Sequence, residues 1–135
     1  MTSRPASDLA VITKAKELCA YVMTVTQKSP KHFRYTFVSR LQNLSLDVVE
    51  CLFRANEVYV VRGDSQALAR RAQLQHDAIT NCKLLAYLAD VAQSQGCILM
   101  RQFEQIAHLC ADCQNMTGAW ITSDKKRFLP EDPRA

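Results

Sequence analysis

A chain of 135 residues with 48% hydrophobic and 22% charged side chains has the size and composition of one soluble globular domain that can bury a real core. No apolar run approaches the roughly 20 residues of a membrane span, and MTSRPASD lacks the apolar centre of a secretory leader, so a cytoplasmic, membrane-free protein is expected. Three Gly and four Pro are too little punctuation for a many-stranded sheet, and a formal charge of +4 is ordinary for a small domain, so fold class points to all-α while charge alone excludes no partner.

The predicted elements follow from apolar spacing. Residues 8–28 set Val11 or Ile12, Ala15, Leu18, Val22 and Val25 on one side, with Ser7 as cap and Asp8 in the first turn. KSPKHF then interrupts, because Pro30 forbids continuation of the first helix. Residues 33–61 read as a second helix. Phe37, Leu41, Leu44, Val48, Cys51, Ala55 and Val58 recur in alternating steps of four and three, opposite a polar stripe of Arg40, Asn43, Asp47, Glu50, Arg54 and Glu57. RGDS separates it from a third helix over 64–94, whose seam is Leu68, Ala72, Gln75, Ile79, Cys82, Ala86 and Ala89. A second apolar face there carries Leu74, Ala78, Leu85 and Leu88, so this helix is either the most central one or is covered by another subunit. After QSQGCI, residues 99–121 place Leu99, Phe103, Ile106, Cys110, Cys113, Thr117 and Trp120 on one face, and 122–135 form a polar, Pro-bearing loose tail. Short connections predict one domain, an up-down-up-down antiparallel four-helix bundle.

Little in the chain suggests catalysis. His32, His76 and His108 come with no local nucleophile or base signature, and no phosphate-cradling glycine loop, H-E-x-x-H helix or Glu-x-x-His pair is present. HLCADC invites a metal reading, but on a helix His108 points about 160° away from Cys110, and a lone C-x-x-C is weak evidence for zinc. All six cysteines, Cys19, Cys51, Cys82, Cys97, Cys110 and Cys113, lie in apolar helical patterns and read as reduced core residues. The expectation is a non-enzyme without metal, cofactor or small-molecule substrate.

Charge is more informative. Residues 28–71 carry eight Lys/Arg against four Asp/Glu, while the rest of the chain has nine against nine. Arg54 is compensated by Glu50 and Glu57, but Lys28, Lys31, Arg34, Arg40, Arg70 and Arg71 have no acid at helical spacing, and with Arg62 they are the candidates for phosphate contact. At 1.5 Å per residue Arg34 and Arg62 stand about 40 Å apart. Two basic ends result, one with Lys28, Lys31, Arg34 and Arg101, the other with Arg62, Arg70, Arg71, Lys14 and Lys16. Cations at the start of a helix add to its dipole instead of balancing it, which a sequence chosen for stability alone would avoid.

The segment TKAKELCAYVMTVTQKSPKHFRYTFVSRLQNLSLDVVECLFRANE, residues 13–57, resembles the bacterial four-helix-bundle family that includes the accessory variability determinant (Avd) of diversity-generating retroelements and the proteins encoded in ribosomal intervening sequences. The likeness extends through GAW at 118–120, and its specific part is K-x-P-K-x-[FY]-[RK] leading into F-x-x-R-L-x-N and A-N-E. It implies a small basic non-enzymatic bundle that assembles as a homo-oligomer, a five-subunit barrel in Avd-type members. Such a protein binds RNA or DNA and associates with a reverse transcriptase during mutagenic copying of a template RNA. By similarity Lys28, Lys31, Arg34 and Arg40 belong to the basic surface, whereas Asn56 and Glu57 are structural. A ring of subunits would also cover the second face of the third helix and join separate basic ends into belts. The competing reading is a structural protein-interaction bundle with no nucleic-acid role.

Overall fold

The computed structural model describes residues 6–129, with side chains from residue 10, and among these every regular element is helical. Helices α1 (Ala6–Thr26), α2 (Ser39–Glu57), α3 (Ser65–Ser94) and α4 (Met100–Phe128) make an all-α four-helix bundle. None of them is long and apolar enough to cross a membrane. The stripe read for α1 is buried at all five positions from Val11 or its alternative to Val25, with Val11 and not Ile12 in the core. On α2, Leu41, Leu44, Val48 and Ala55 are buried as expected, and Leu52, outside the expected stripe, joins them. Helix α4 buries Ile106, Cys110, Cys113, Thr117 and Trp120.

The core lies between the four helices, because α1 and α3 each pack against both α2 and α4. Side-chain bonds mark the seams. Gln42 Nε2 donates to Thr26 Oγ1 at 2.9 Å and Ser45 Oγ to Cys19 Sγ at 3.5 Å between α1 and α2. Asn81 Nδ2 reaches Cys51 Sγ at 3.9 Å between α2 and α3, and Lys14 approaches Asp112 at 3.9 Å between α1 and α4.

Three boundaries differ by more than two residues from those expected of the sequence. The second helix does not start as one: Lys31–Phe33 is a 3₁₀ turn and Arg34–Val38 a π turn before α2 proper. It also ends four residues early, at Glu57, because Val58-Tyr59-Val60-Val61 is β-branched and aromatic throughout and prefers extended backbone. Val60 is buried there between exposed Tyr59 and Val61, the alternation of an extended segment. Finally, the loose tail assigned to 122–135 is helical through Phe128, and only residues 130–135 of it lie outside the described residues. α4 stops where Leu129, which precedes Pro130, turns to ψ 142°. The cap assigned to Ser7 and Asp8 rests on side chains outside those described, and Ser7 falls inside α1.

The two apolar faces of α3 merge into one broad stripe. Its buried line is Ala67, Arg71, Gln75, Ala78, Cys82, Leu85, Ala89 and Ala92, with Leu74, Ala86 and Leu88 half-buried beside it. Two of its members, Arg71 and Gln75, are polar and belong to a buried charge network. Asp124, whose side chain is 1% exposed, accepts from Arg71 Nε at 2.9 Å, Arg71 Nη2 at 3.1 Å, Gln75 Nε2 at 2.9 Å and Arg127 Nη2 at 2.6 Å. Arg71 Nη1 takes the carbonyl of Val58 at 3.1 Å, and its guanidinium lies 5.1 Å from the Trp120 ring centre. The α2–α3 connection is held to the same end of α4 by Gly63 N–H donating to the Phe128 carbonyl at 3.0 Å. A single carboxylate therefore ties α3, the extended segment and the last turns of α4 together.

Candidate nucleic-acid interface

The end of the bundle holding the α1–α2 turn is shaped by Pro30, which stops α1 and starts a 3₁₀ turn with no acid in it. Lys28, Lys31, Arg34 and Arg40 are all exposed. A groove of about 550 Å³ is lined by Thr26, Ser29, Lys31, Arg34, Tyr35 and Gln42 among others, and an adjoining one of about 270 Å³ by Lys28, Ser29, Cys97 and Arg101. Ser29 and Pro30 are the wall between them, so three of the seven candidates, joined by Arg101, come together as the sequence predicted. Neither groove has an Asp or Glu in its lining. Arg40 belongs to a third groove, of about 510 Å³, with Phe37, Leu84, Leu88 and the acid Asp47. Tyr35 lines both this groove and the first, and the sequence reading named no role for it although it sits between Arg34 and Arg40.

The other three candidates are not part of this end. Arg62 is exposed and donates through Nε to the Arg127 carbonyl at 3.4 Å, and Arg70 is exposed on α3. Arg71 is a correction. It was expected as a surface cation because no acid stands at helical spacing, yet it is 7% exposed and engaged by Asp124, 53 residues away in sequence. Lys14 is likewise drawn away from the Arg62 end, meeting Glu17 at 3.2 Å and Asp112 midway along α4. In their place come Lys125 and Lys126, exposed on the last turn of α4 next to Arg127, which the sequence reading had left in the tail. Cations in a last helical turn offset the negative end of the dipole, so these have a stabilising role that the cations at residues 31–34 lack.

The thiols are interior. Cys82, Cys110 and Cys113 are buried, and the Cys82 thiol is hydrogen-bonded to both others across the α3–α4 seam. Hydrogen bonding to Cys110, then burial, pushes the Cys82 thiol well above its ordinary range, and the bond to Cys82, then burial, does the same to Cys113. Burial, reinforced by Asp77, Asp47 and Glu50, raises Cys51. Protonated thiols of this kind are poor nucleophiles and poor ligands. His108 is exposed and turned to Asp112, with Nε2 at 3.5 Å from its carboxylate, apart from the cysteines as helix geometry requires. Among the described residues no group of three or more His, Cys, Asp or Glu is placed to hold a metal ion.

No protein-family model matches the chain, and no curated protein or solved structure matches it either.

Proposed function

We propose that this protein is a non-enzymatic, basic, oligomeric accessory protein similar to Avd, cytoplasmic, that binds RNA or DNA and supports mutagenic copying by a retroelement reverse transcriptase. The observation that carries the nucleic-acid part is the gathering of Lys28, Lys31, Arg34 and Arg101 around two adjoining grooves without an acid in either lining. Three of the four are opposed by the helix dipole: Lys31, Arg34 and Arg101 stand at helix starts, and the 3₁₀ turn, α2 and α4 have no acid in their first turns to compensate, whereas Lys28 follows the end of α1. Cations on two adjoining grooves are suited to a phosphate backbone, which they would hold without reading sequence.

The resemblance over residues 13–57 supplies the reverse transcriptase and the five-subunit assembly. We read the topology as up-down-up-down and antiparallel. The pairs Thr26–Gln42 and Cys19–Ser45, then Arg71–Val58 and Asn81–Cys51, then Arg71–Asp124 and Cys82–Cys113, each rise in one helix as they fall in the next. That arrangement puts both basic ends on opposite rims of any ring. Large apolar side chains left exposed on the helices, Leu46 and Phe53 on α2 with Leu84 and Tyr87 on α3, are available for subunit contact.

The test is replacement of Lys31, Arg34 and Arg40 by Gln, with binding to a structured RNA measured by filter retention and mass by light scattering. The triple variant should lose RNA binding while keeping its helical content and mass. Unchanged binding would remove these residues from the interface, and a wild type that binds nothing at low salt would leave the protein-interaction bundle as the reading.

A further inference from the structure

Tyr35 is the most solvent-exposed of the large hydrophobic side chains described, at 85%. Its neighbours Phe33 and Phe37 turn inward, in tilted contact with ring centres 5.7 Å apart, and are part of the core margin. The ring of Tyr35 contributes nothing comparable to the fold. It is nonetheless held on a defined piece of backbone. Residues Arg34–Val38 form a π turn in which the Ser39 N–H donates to the Arg34 carbonyl, five residues back, as well as to Thr36. Insertions of this kind inside helices are frequent at functional sites, because they re-aim side chains at the expense of regular bonding.

The ring stands where two grooves meet. On one side are Lys31 and Arg34 with Ser29 and Gln42, on the other are Arg40 and Asn43 with the acid Asp47 further along, and Ser39 lines both. A cation within reach on each flank of an exposed aromatic face fits a strand whose phosphates run past on both sides while a base lies on the ring. Phosphate attraction alone needs no aromatic and favours the denser charge of a duplex. A stacked base is different, since its face is available only when the strand is unpaired, and stacking on an aromatic side chain is tolerant of sequence.

We propose that Tyr35 is a stacking platform for an unpaired base, so that this end of the bundle takes single-stranded nucleic acid, with Lys31 and Arg34 on one flank and Arg40 on the other. The proposal rests on the reading of this surface as a nucleic-acid interface and names the substrate class it takes. Tyr35 supplies the preference for single strands and the arginines and lysine supply affinity. A partner protein capping the same ring is the rival use of the surface, and it predicts no link between Tyr35 and strand pairing.

The experiment uses the full chain and two probes at one salt concentration, a labelled oligothymidylate of about 20 nucleotides and a duplex with the same number of phosphates, chosen to exceed the few nucleotides one site covers. Tyr35→Ala should weaken binding to the single strand about tenfold, lowering the ratio of single-strand to duplex affinity by the same factor, and Tyr35→Phe should restore it. As a direct reading of stacking, the indole introduced by Tyr35→Trp should be quenched by the oligothymidylate. The single native tryptophan, Trp120, is buried and gives a constant background. An affinity ratio unmoved by Tyr35→Ala, with wild type still binding both probes, overturns the proposal and leaves the nucleic-acid reading standing. Failure of wild type to bind either probe overturns both.

Discussion

Replacing Asp124 by Ala should be among the most damaging single changes this fold can suffer. The substitution removes the acceptor of four hydrogen bonds, from Arg71 Nε and Nη2, Gln75 Nε2 and Arg127 Nη2. Arg127, whose side chain is 32% exposed, can turn to water, but Arg71, at 8%, keeps its charge against Trp120 and Phe128 and loses the carboxylate that neutralises it, retaining the neutral Val58 carbonyl. Stranding one member of a buried ion pair costs about 3–5 kcal/mol. For a chain of this length each kcal/mol moves Tm by about 3–4 °C, so the expected fall is roughly 10–20 °C. Far-UV circular dichroism melts at one fixed protein concentration measure it, the concentration being held because assembly would shift Tm by mass action. The double variant Arg71→Met with Asp124→Leu, which leaves no stranded charge from this pair, should recover part of the loss. A fall of less than about 3 °C for Asp124→Ala, or a double variant less stable than the single one, would refute the assignment of this carboxylate as the tie between α3 and α4.

Three further outcomes follow from the turn after α3 and from the buried thiols. Gly96 has φ +83° and lets the Cys97 N–H close back on the Ala92 carbonyl at 2.9 Å, so Gly96→Ala should destabilise by about 1–2 kcal/mol, seen as a lower urea midpoint at unchanged slope, although its Cβ would meet no neighbouring atom. With Cys82, Cys97, Cys110 and Cys113 buried and Cys19 and Cys51 half-buried, a disulfide reagent at neutral pH should modify no more than the latter two quickly, and all six only in denaturant; rapid native modification of four or more would contradict the packing. The raised thiols add a pH dependence whose sign is set by their protons. Cys82 and Cys113 hold theirs in the folded chain above the ordinary value of 9.0, so stability is unaffected by them below about pH 9 and declines as pH rises beyond it.

The helices were legible because an amphipathic stripe has to be written in steps of three and four, and Leu18, Val22, Leu41, Val48, Cys110 and Trp120 are buried where those steps put them. The same rule, carried one step past Trp120, arrives at Asp124, and on α3 it runs from Gln75 back to Arg71. A charged residue at a core position reads as the end of the stripe, so apolar spacing alone ends α4 near Ile121 and puts Arg71 on the surface. Only the three-dimensional pairing turns two apparent violations into one satisfied contact. The early end of α2 was readable in Val58–Val61, where four β-branched or aromatic residues in succession oppose a helix that the stepwise pattern, with Val58 in phase, favours. At the candidate interface the sequence located the charge, since Lys28, Lys31, Arg34 and Arg101 fall at helix ends that short loops must bring together. It could not locate Tyr35, because the π turn that sets its direction changes the residues per turn and leaves no mark in apolar spacing.

The central claim is that the acid-free grooves of the α1–α2 end bind phosphate backbone, and it is tested most directly by titrating wild-type protein with a structured RNA and with duplex DNA from low to physiological salt, alongside light scattering of the same sample. The account predicts binding by an oligomer that weakens steeply and log-linearly with salt, the slope falling by about one for each of Lys31 and Arg34 replaced by Gln. Absence of binding at the lowest salt, or binding whose strength is indifferent to salt, would contradict it.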